Sequence, residues 1–234
     1  MQAMNNNMAY MPTPIRSVHV IKEDSWTRRS YKITTLDDLS CLYTVDTSDG
    51  APQVTLTRHL QPIPYTRQAS SISRLSGQFS LSGLLGQSRH HQQQQTGQSS
   101  NNYVVGTANF HITVSSKIDI HLSTNQTITM KRPDSFSSKR RFESLTPLGT
   151  LEWKSGGGAL GSLVTSDLKL VDMSGRTVAR YQKHSSLLSG RSDEITLFVP
   201  ELAGFLDIVI ITCIATIEYR KLEEEIVTEA ADNI

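Results

Sequence analysis

The segment that most constrains this chain is Ile208–Ile217, an uncharged, largely apolar run of ten residues flanked by charge. Asp207, Glu201 and Pro200 precede it; Glu218, Arg220 and Lys221 follow. Pro200 suits a first helical position, and Glu201 beside it suits the positive helix start. Leu202, Phe205, Leu206, Val209, Cys213 and Ile217 recur at helical spacing, and so do Ile208, Ile211, Ile214 and Ala215, with Ile210 among them. The apolar residues therefore wrap the whole circumference, and such a helix must be buried on every side. Arg220 and Lys221 would close it favourably. The β-branched run Ile208–Ile211 leaves a strand open, but length and charged ends favour the helix. A membrane-spanning helix needs about 20 apolar residues, so no transmembrane span is expected.

Cover for such a helix has to come from the preceding residues, and these read as strands. Val18 and Val20 alternate with polar residues, as do Tyr31 and Ile33, and Val54 and Leu56. Alternation over short runs marks half-buried strands. Asp46 to Gly50 supplies turn chemistry between Leu42–Val45 and Val54–Thr57, which read as a hairpin. Ala108, Phe110, Ile112 and Val114 share one face, followed by Ile118, Ile120 and Leu122, a turn at Thr124–Gln126, then Ile128 and Met130. Further strands are expected at Leu145–Trp153, Leu163–Met173 and Thr177–Lys183, with a turn at Asp172–Gly175. Ile195, Leu197 and Val199 form one more.

Residues 66–102 break the pattern. Ser, Gln and Gly supply 21 of these 37 residues, and no Asp or Glu occurs between Asp49 and Asp119. This segment cannot bury enough apolar area to offset its ordering entropy, so it reads as a disordered insertion in a surface loop. The expected organisation is a polar tail at 1–14, one domain at 15–226 carrying the insertion, and an acidic tail at 227–234. The start of the chain lacks a basic stretch followed by an apolar core, so no signal peptide is expected. The two cysteines, Cys41 and Cys213, lie in apolar runs and read as buried thiols of a reducing compartment. The formal net charge of +1 argues against a nucleic-acid partner. The expected location is the cytoplasm or its membrane face, with the nucleus left open.

Many antiparallel strands followed by one all-apolar helix point to a closed barrel, which removes sheet edges and offers an interior. The fold class is mainly β: a closed antiparallel barrel around a buried C-terminal helix.

Three motifs carry a resemblance. Arg140-Arg-Phe-Glu-Ser-Leu-Thr-Pro-Leu-Gly-Thr-Leu-Glu-Trp-Lys154 resembles an R-x-F … G-x-x-Y/L-x-W-K element. Leu168-Lys-Leu-Val-Asp-Met-Ser-Gly-Arg-Thr-Val-Ala-Arg180 resembles a strand–turn–strand, and Leu206-Asp-Ile-Val-Ile-Ile-Thr212 with Glu218-Tyr-Arg-Lys221 resembles a terminal element. In this order they resemble an uncharacterised fungal domain family placed with the tubby C-terminal and phospholipid-scramblase-like superfamily. The resemblance covers about Tyr31 to Lys221 outside the insertion. It implies a barrel of about 12 strands around a central hydrophobic helix. Tubby domains bind phosphoinositides through basic surface residues, which the resemblance does not place position by position in this sequence.

Chemistry-bearing constellations are few. His90 and His91 lie in a Gln tract, His111 and His121 lack a third ligand, and no Cys-x-x-Cys exists, so no metal is expected. Gly156–Gly161 lacks the Lys-Ser/Thr of a phosphate loop, and there is no Gly-x-Ser-x-Gly elbow. Nothing indicates a catalytic set or a cofactor. If the helix is buried, Asp207 needs a hydrogen-bond donor or a place near the barrel mouth. Lys131, Arg132, Lys139, Arg140 and Arg141, with Arg28 and Arg29, are cationic enough to form an anionic-lipid patch. Ser70 and Ser76 follow Arg67 and Arg74 at spacings suited to basic-directed kinases. The expectation is a non-enzymatic intracellular binding module that contacts anionic lipid, phosphoinositide-like, or a protein partner. The alternatives are a scaffold regulated through the Ser-rich loop and an enzyme using the barrel mouth.

Overall fold

A computed structural model describes residues 12–24, 29–64, 102–112, 115–134, 137–156, 167–184 and 192–232. Among these described residues twelve strands are followed by one helix. The strands are β1 (Arg16–Asp24), β2 (Arg29–Thr34), β3 (Ser40–Thr47), β4 (Val54–Pro64), β5 (Asn102–His111) and β6 (Lys117–Leu122). Then come β7 (Thr127–Met130), β8 (Arg140–Glu143), β9 (Thr150–Ser155), β10 (Leu168–Asp172), β11 (Thr177–Gln182) and β12 (Asp193–Leu197). The helix is α1 (Phe205–Asp232).

All twelve strands belong to one antiparallel sheet ordered β7-β6-β5-β4-β3-β2-β1-β12-β11-β10-β9-β8. Each strand therefore lies beside its neighbours in sequence, and β1 pairs with β12 in the register Val18↔Ile195. The two ends of the sheet meet through one bridge, in which Lys131 and Arg141 exchange backbone hydrogen bonds of 2.9 and 2.8 Å. The result is a nearly closed up-and-down barrel with its seam between β7 and β8. Alternation decides which face points inward. In β3, Cys41, Tyr43 and Val45 are buried while Leu42 and Thr44 between them are less so. In β6, Ile118 and Ile120 are fully buried.

The interior is filled by α1. Phe205, Leu206, Val209, Ile210, Ile211, Cys213 and Ile214 are at most 1% exposed, and burial continues to Tyr219. Contacts reach α1 from around the wall. Trp153 of β9 donates its indole N–H to Thr212 Oγ1 at 3.0 Å. Phe110 of β5 meets Tyr219 edge-on with ring centroids 5.4 Å apart, and Arg140 of β8 lies 4.2 Å from the same ring. Gly106 of β5 allows a close approach of wall and helix. A Cβ there would stand 2.7 Å from the His121 carbonyl oxygen and 3.3 Å from Ile211 Cδ1. The buried part of α1 spans about 22 Å at 1.5 Å per residue. A wall of six-residue strands is about 20 Å deep, so the helix fills the barrel from mouth to mouth.

Several expectations need correction. The helix begins at Phe205, because Gly204 has φ of 75° and cannot be helical. Leu202 therefore lies outside the helix and is 38% exposed, and Ile217 is only partly buried. At the other end Arg220 and Lys221 do not close the helix, which runs unbroken through 222–232. Glu, Ala and Leu in that stretch are strong helix formers, and no Gly or Pro interrupts them. The strand expected over Leu145–Trp153 starts only at Thr150. Residues 144–149 form the β8–β9 turn, with Ser144 N bonded to Gly149 O at 3.0 Å and Leu145 at φ 58°. β10 occupies Leu168–Asp172 of the expected Leu163–Met173, whose first residues lie outside the described set. The Asp172–Gly175 turn forms as read, with Gly175 N bonded to Asp172 O at 2.9 Å. Cys41 and Cys213 are free and buried, and burial pushes both thiols up.

Candidate functional site

The polar groups inside the barrel serve to seat the helix. Tyr43 donates to Asp207 Oδ1 at 2.6 Å, and Arg58 approaches the same carboxylate at 3.5 Å. Burial and that hydrogen bond push the Tyr43 phenol well above its ordinary value. Asp207 thus has the donor its position demands. Tyr31 donates to Glu218, which also pairs with Lys221 at 2.5 Å and Arg29 at 3.8 Å. Asp207 and Glu218 stand about three turns apart on one helix face, and Tyr43 and Tyr31 stand on adjacent strands. Two tyrosine–carboxylate latches therefore fix the height and rotation of α1. Thr212 and Thr216 bond back to helix carbonyls at 2.7 Å.

The expected basic patch is divided among distant acids. Arg140 is 1% exposed, bonded to the Ser116 carbonyl and 3.3 Å from Glu223 of α1. It is a core residue of the seam and cannot face a lipid surface. Arg132 also pairs with Glu223. Arg141 and Lys139 pair with Glu152 of β9 at 2.9 and 3.6 Å. Lys131 is exposed, and its backbone forms the seam bridge. Arg29 is taken up by Glu225 at 2.6 Å. Arg28, Ser70 and Ser76 lie outside the described residues. His111 faces Lys117 and His121 faces Thr107 across the β5–β6 ladder, so the two histidines do not meet. Among the described residues no three metal-ligating side chains cluster. Among the described residues no helix is long and apolar enough to cross a membrane.

What the structure adds is a cleft of about 1030 Å³ where α1 leaves the barrel. The emerging helix forms one wall, and the ends of β1, β2, β9, β10, β11 and β12 with Ile112, Arg132 and Ser138 form the other. Its polar lining includes Lys22, Tyr181, Lys183, Arg220 and Lys221; Ile112, Leu168, Ile217, Ile226 and Val227 supply the apolar part. Tyr181 donates to Asp193 at 2.5 Å, and burial raises its phenol far above the usual range. Burial lowers the Arg220 pKa, helped by repulsion from Arg140. The only sequence signal for this site is Glu218-Tyr-Arg-Lys221, which reads as a helix end until the barrel wall is placed around it.

The opposite mouth has a different character. Leu36, Leu39, Ile63, Leu145, Met173 and Leu202, all exposed, sit on connections or strand ends at that rim.

Comparison with known proteins adds one finding. A family model described as a family of unknown function (DUF6593) matches residues 27–222. No curated protein and no solved structure matches significantly.

Proposed function

This chain belongs to the DUF6593 family of unknown function, and we propose that it is a non-enzymatic binding module that takes an anionic ligand, a phosphoinositide-like lipid or its equivalent, in the cleft beside α1. The observation that carries the reading is the cleft itself. The barrel interior is filled by the helix, its latched polar groups are occupied in holding that helix, and the open space lies at the mouth. The barrel-plus-helix architecture agrees with what the tubby-like resemblance implies. The dispersal of the Lys131–Arg141 charges over Glu152 and Glu223 moves the favoured contact from a diffuse surface to this cleft.

Sedimentation with phosphatidylcholine vesicles, with and without a phosphatidylinositol phosphate, tests the reading. The expected result is retention on the anionic vesicles that falls as salt rises and is weakened in Val227→Trp, whose indole obstructs part of the cleft. Equal retention on both vesicles, or retention indifferent to Val227→Trp, overturns it.

A second reading, contact with a protein partner, is favoured by the apolar rim at the opposite mouth, since clustered exposed apolar residues commonly mark interaction surfaces. A photo-cross-linker at Met173 that captures one discrete partner, while one at Thr228 does not, supports this reading; the reverse supports the cleft.

A further inference from the structure

We propose that the cleft is a site for a phosphate-type oxyanion carrying an apolar body, anchored by Arg220 and assisted by Lys183. The inference rests on the reading of the cleft as the ligand site and names what the ligand must carry.

A guanidinium drawn out of water normally needs a carboxylate to compensate its lost hydration. Arg220 has none within ion-pair distance among the described residues. Its Nη2 donates to the backbone carbonyl of Ser138 at 3.0 Å, and its Nε is shielded from water without an acceptor. Two of the carboxylates of the same cleft are engaged elsewhere. Asp193 accepts from the Tyr181 hydroxyl and from the His184 backbone N–H, and Glu223 is held by Arg132 and Arg140. Glu224, one turn further along α1, also lines the cleft and, like Glu223, attracts Arg220 through space, but it makes no ion pair with it. Lys221 is drawn to Glu218. Lys183 is exposed at the cleft and makes no ion pair among the described residues.

The site thus holds a partly buried guanidinium that lacks a carboxylate partner among the described residues and an exposed ammonium lining the same cleft. A phosphate ester offers oxygens in several directions, so it can accept from the planar fork and from the point charge together. Ile112, Leu168, Ile217, Ile226 and Val227 line the same space. Ile226 and Val227 are 44% and 68% exposed and would be covered by the ligand's apolar part. A bare inorganic ion leaves that surface wet. The ligand class is therefore an organic phosphate monoester, as a lipid headgroup or as a soluble molecule.

Titration of the full chain with phenyl phosphate, inorganic phosphate and sodium chloride, followed by calorimetry, tests the proposal. Phenyl phosphate should bind saturably at one site and about fivefold or more tighter than inorganic phosphate, with chloride inert. Arg220→Gln should weaken it by about tenfold or more, the loss expected for a charge-assisted hydrogen bond. Lys183→Gln should weaken it less and, being exposed, leaves folding intact, so the test holds if Arg220→Gln fails to fold. Competition of phenyl phosphate by phosphatidylinositol phosphate vesicles assigns the ligand to a lipid headgroup; absence of competition assigns it to a soluble phosphate. Absence of saturable phosphate binding, or binding unchanged in both variants, overturns the proposal. If vesicle retention sensitive to Val227→Trp nevertheless persists, the broader reading of the cleft survives and only the phosphate assignment falls.

Discussion

Ile211→Ala is the substitution whose effect follows most directly from the helix lying inside the barrel. The side chain is fully buried, and its Cδ1 would lie 3.3 Å from a Cβ at position 106. Truncation removes three carbon groups, about 2.4 kcal/mol of transfer free energy at roughly 0.8 kcal/mol each. The unfilled cavity adds to this, giving about 2–5 kcal/mol in total. Ile226→Ala, on the same helix but beyond the wall, should change stability by no more than about 0.5 kcal/mol. Urea unfolding gives both numbers from the shift in midpoint at constant slope. The neighbouring glycine sharpens the test. Gly106→Ala places a Cβ 2.7 Å from the His121 carbonyl oxygen as well as against Ile211. Trimming Ile211 relieves the second contact and leaves the backbone clash. The double variant should therefore be less destabilised than the sum of the two single changes, yet still worse than Ile211→Ala alone. Equal effects at Ile211 and Ile226, or strictly additive effects at Gly106 and Ile211, would refute the threaded helix.

Removing residues 200–234 should leave strands that aggregate; a soluble fragment with cooperative thermal unfolding would show that the barrel stands without its helix. Tyr43→Phe strips Asp207 of its shortest hydrogen bond and should cost about 1–3 kcal/mol by chemical denaturation; no measurable cost would mean that the latch is idle. Arg140→Ala removes a buried side chain that rests on the Tyr219 ring and bonds the Ser116 carbonyl and Glu223, and should cost about 2–3 kcal/mol, whereas Arg141→Ala, exposed beside Glu152, should cost under about 1 kcal/mol; similar values would contradict the burial of Arg140. Burial works against the Asp119 carboxylate, but hydrogen bonds from Lys117 and Thr129 and the nearby His111 outweigh it and hold its pKa below the ordinary value. Its folded-state pKa being depressed, its stabilising contribution is present above the unfolded value of about 4 and is lost as pH falls through the folded one. Asp119→Asn should reduce the loss of stability measured on acidification below pH of about 4, and an unchanged acid profile would show that Asp119 contributes nothing there.

Much of the fold was legible because two local periodicities carry it. The all-round apolar pattern read over Leu202–Ile217 demanded an enclosed helix, and the alternation of Val18/Val20, Tyr31/Ile33 and Ile118/Ile120 supplied its wall. The need of Asp207 for a donor was legible too, though not that Tyr43 meets it. Boundaries failed where a single backbone angle decided them. Gly204 starts the helix five residues after Pro200, and the turn at Leu145–Gly149 displaces a strand whose composition looked apolar. The charge pattern failed for a different reason. Lys131–Arg141 reads as a surplus of cations along the chain, but Glu152 and Glu223 come from a neighbouring strand and from the helix, and only closure of the barrel brings them together. Arg220 was hidden likewise: a cation in the last apolar turn looks like a helix end, and its lack of an ion-pair partner among the described residues is a fact of three-dimensional packing.

Native-state hydrogen exchange tests the central claim most directly. If α1 is the core of the barrel, the amides of Ile208–Tyr219 open only with global unfolding and share one exchange free energy with Val45 on β3 and Ile120 on β6. The amides of 224–232, on the same helix but outside the wall, should exchange much faster. Exchange of Ile208–Tyr219 at a free energy well below that of the strands would mean that the helix leaves while the barrel stays folded, and the account of a helix-filled barrel would be wrong.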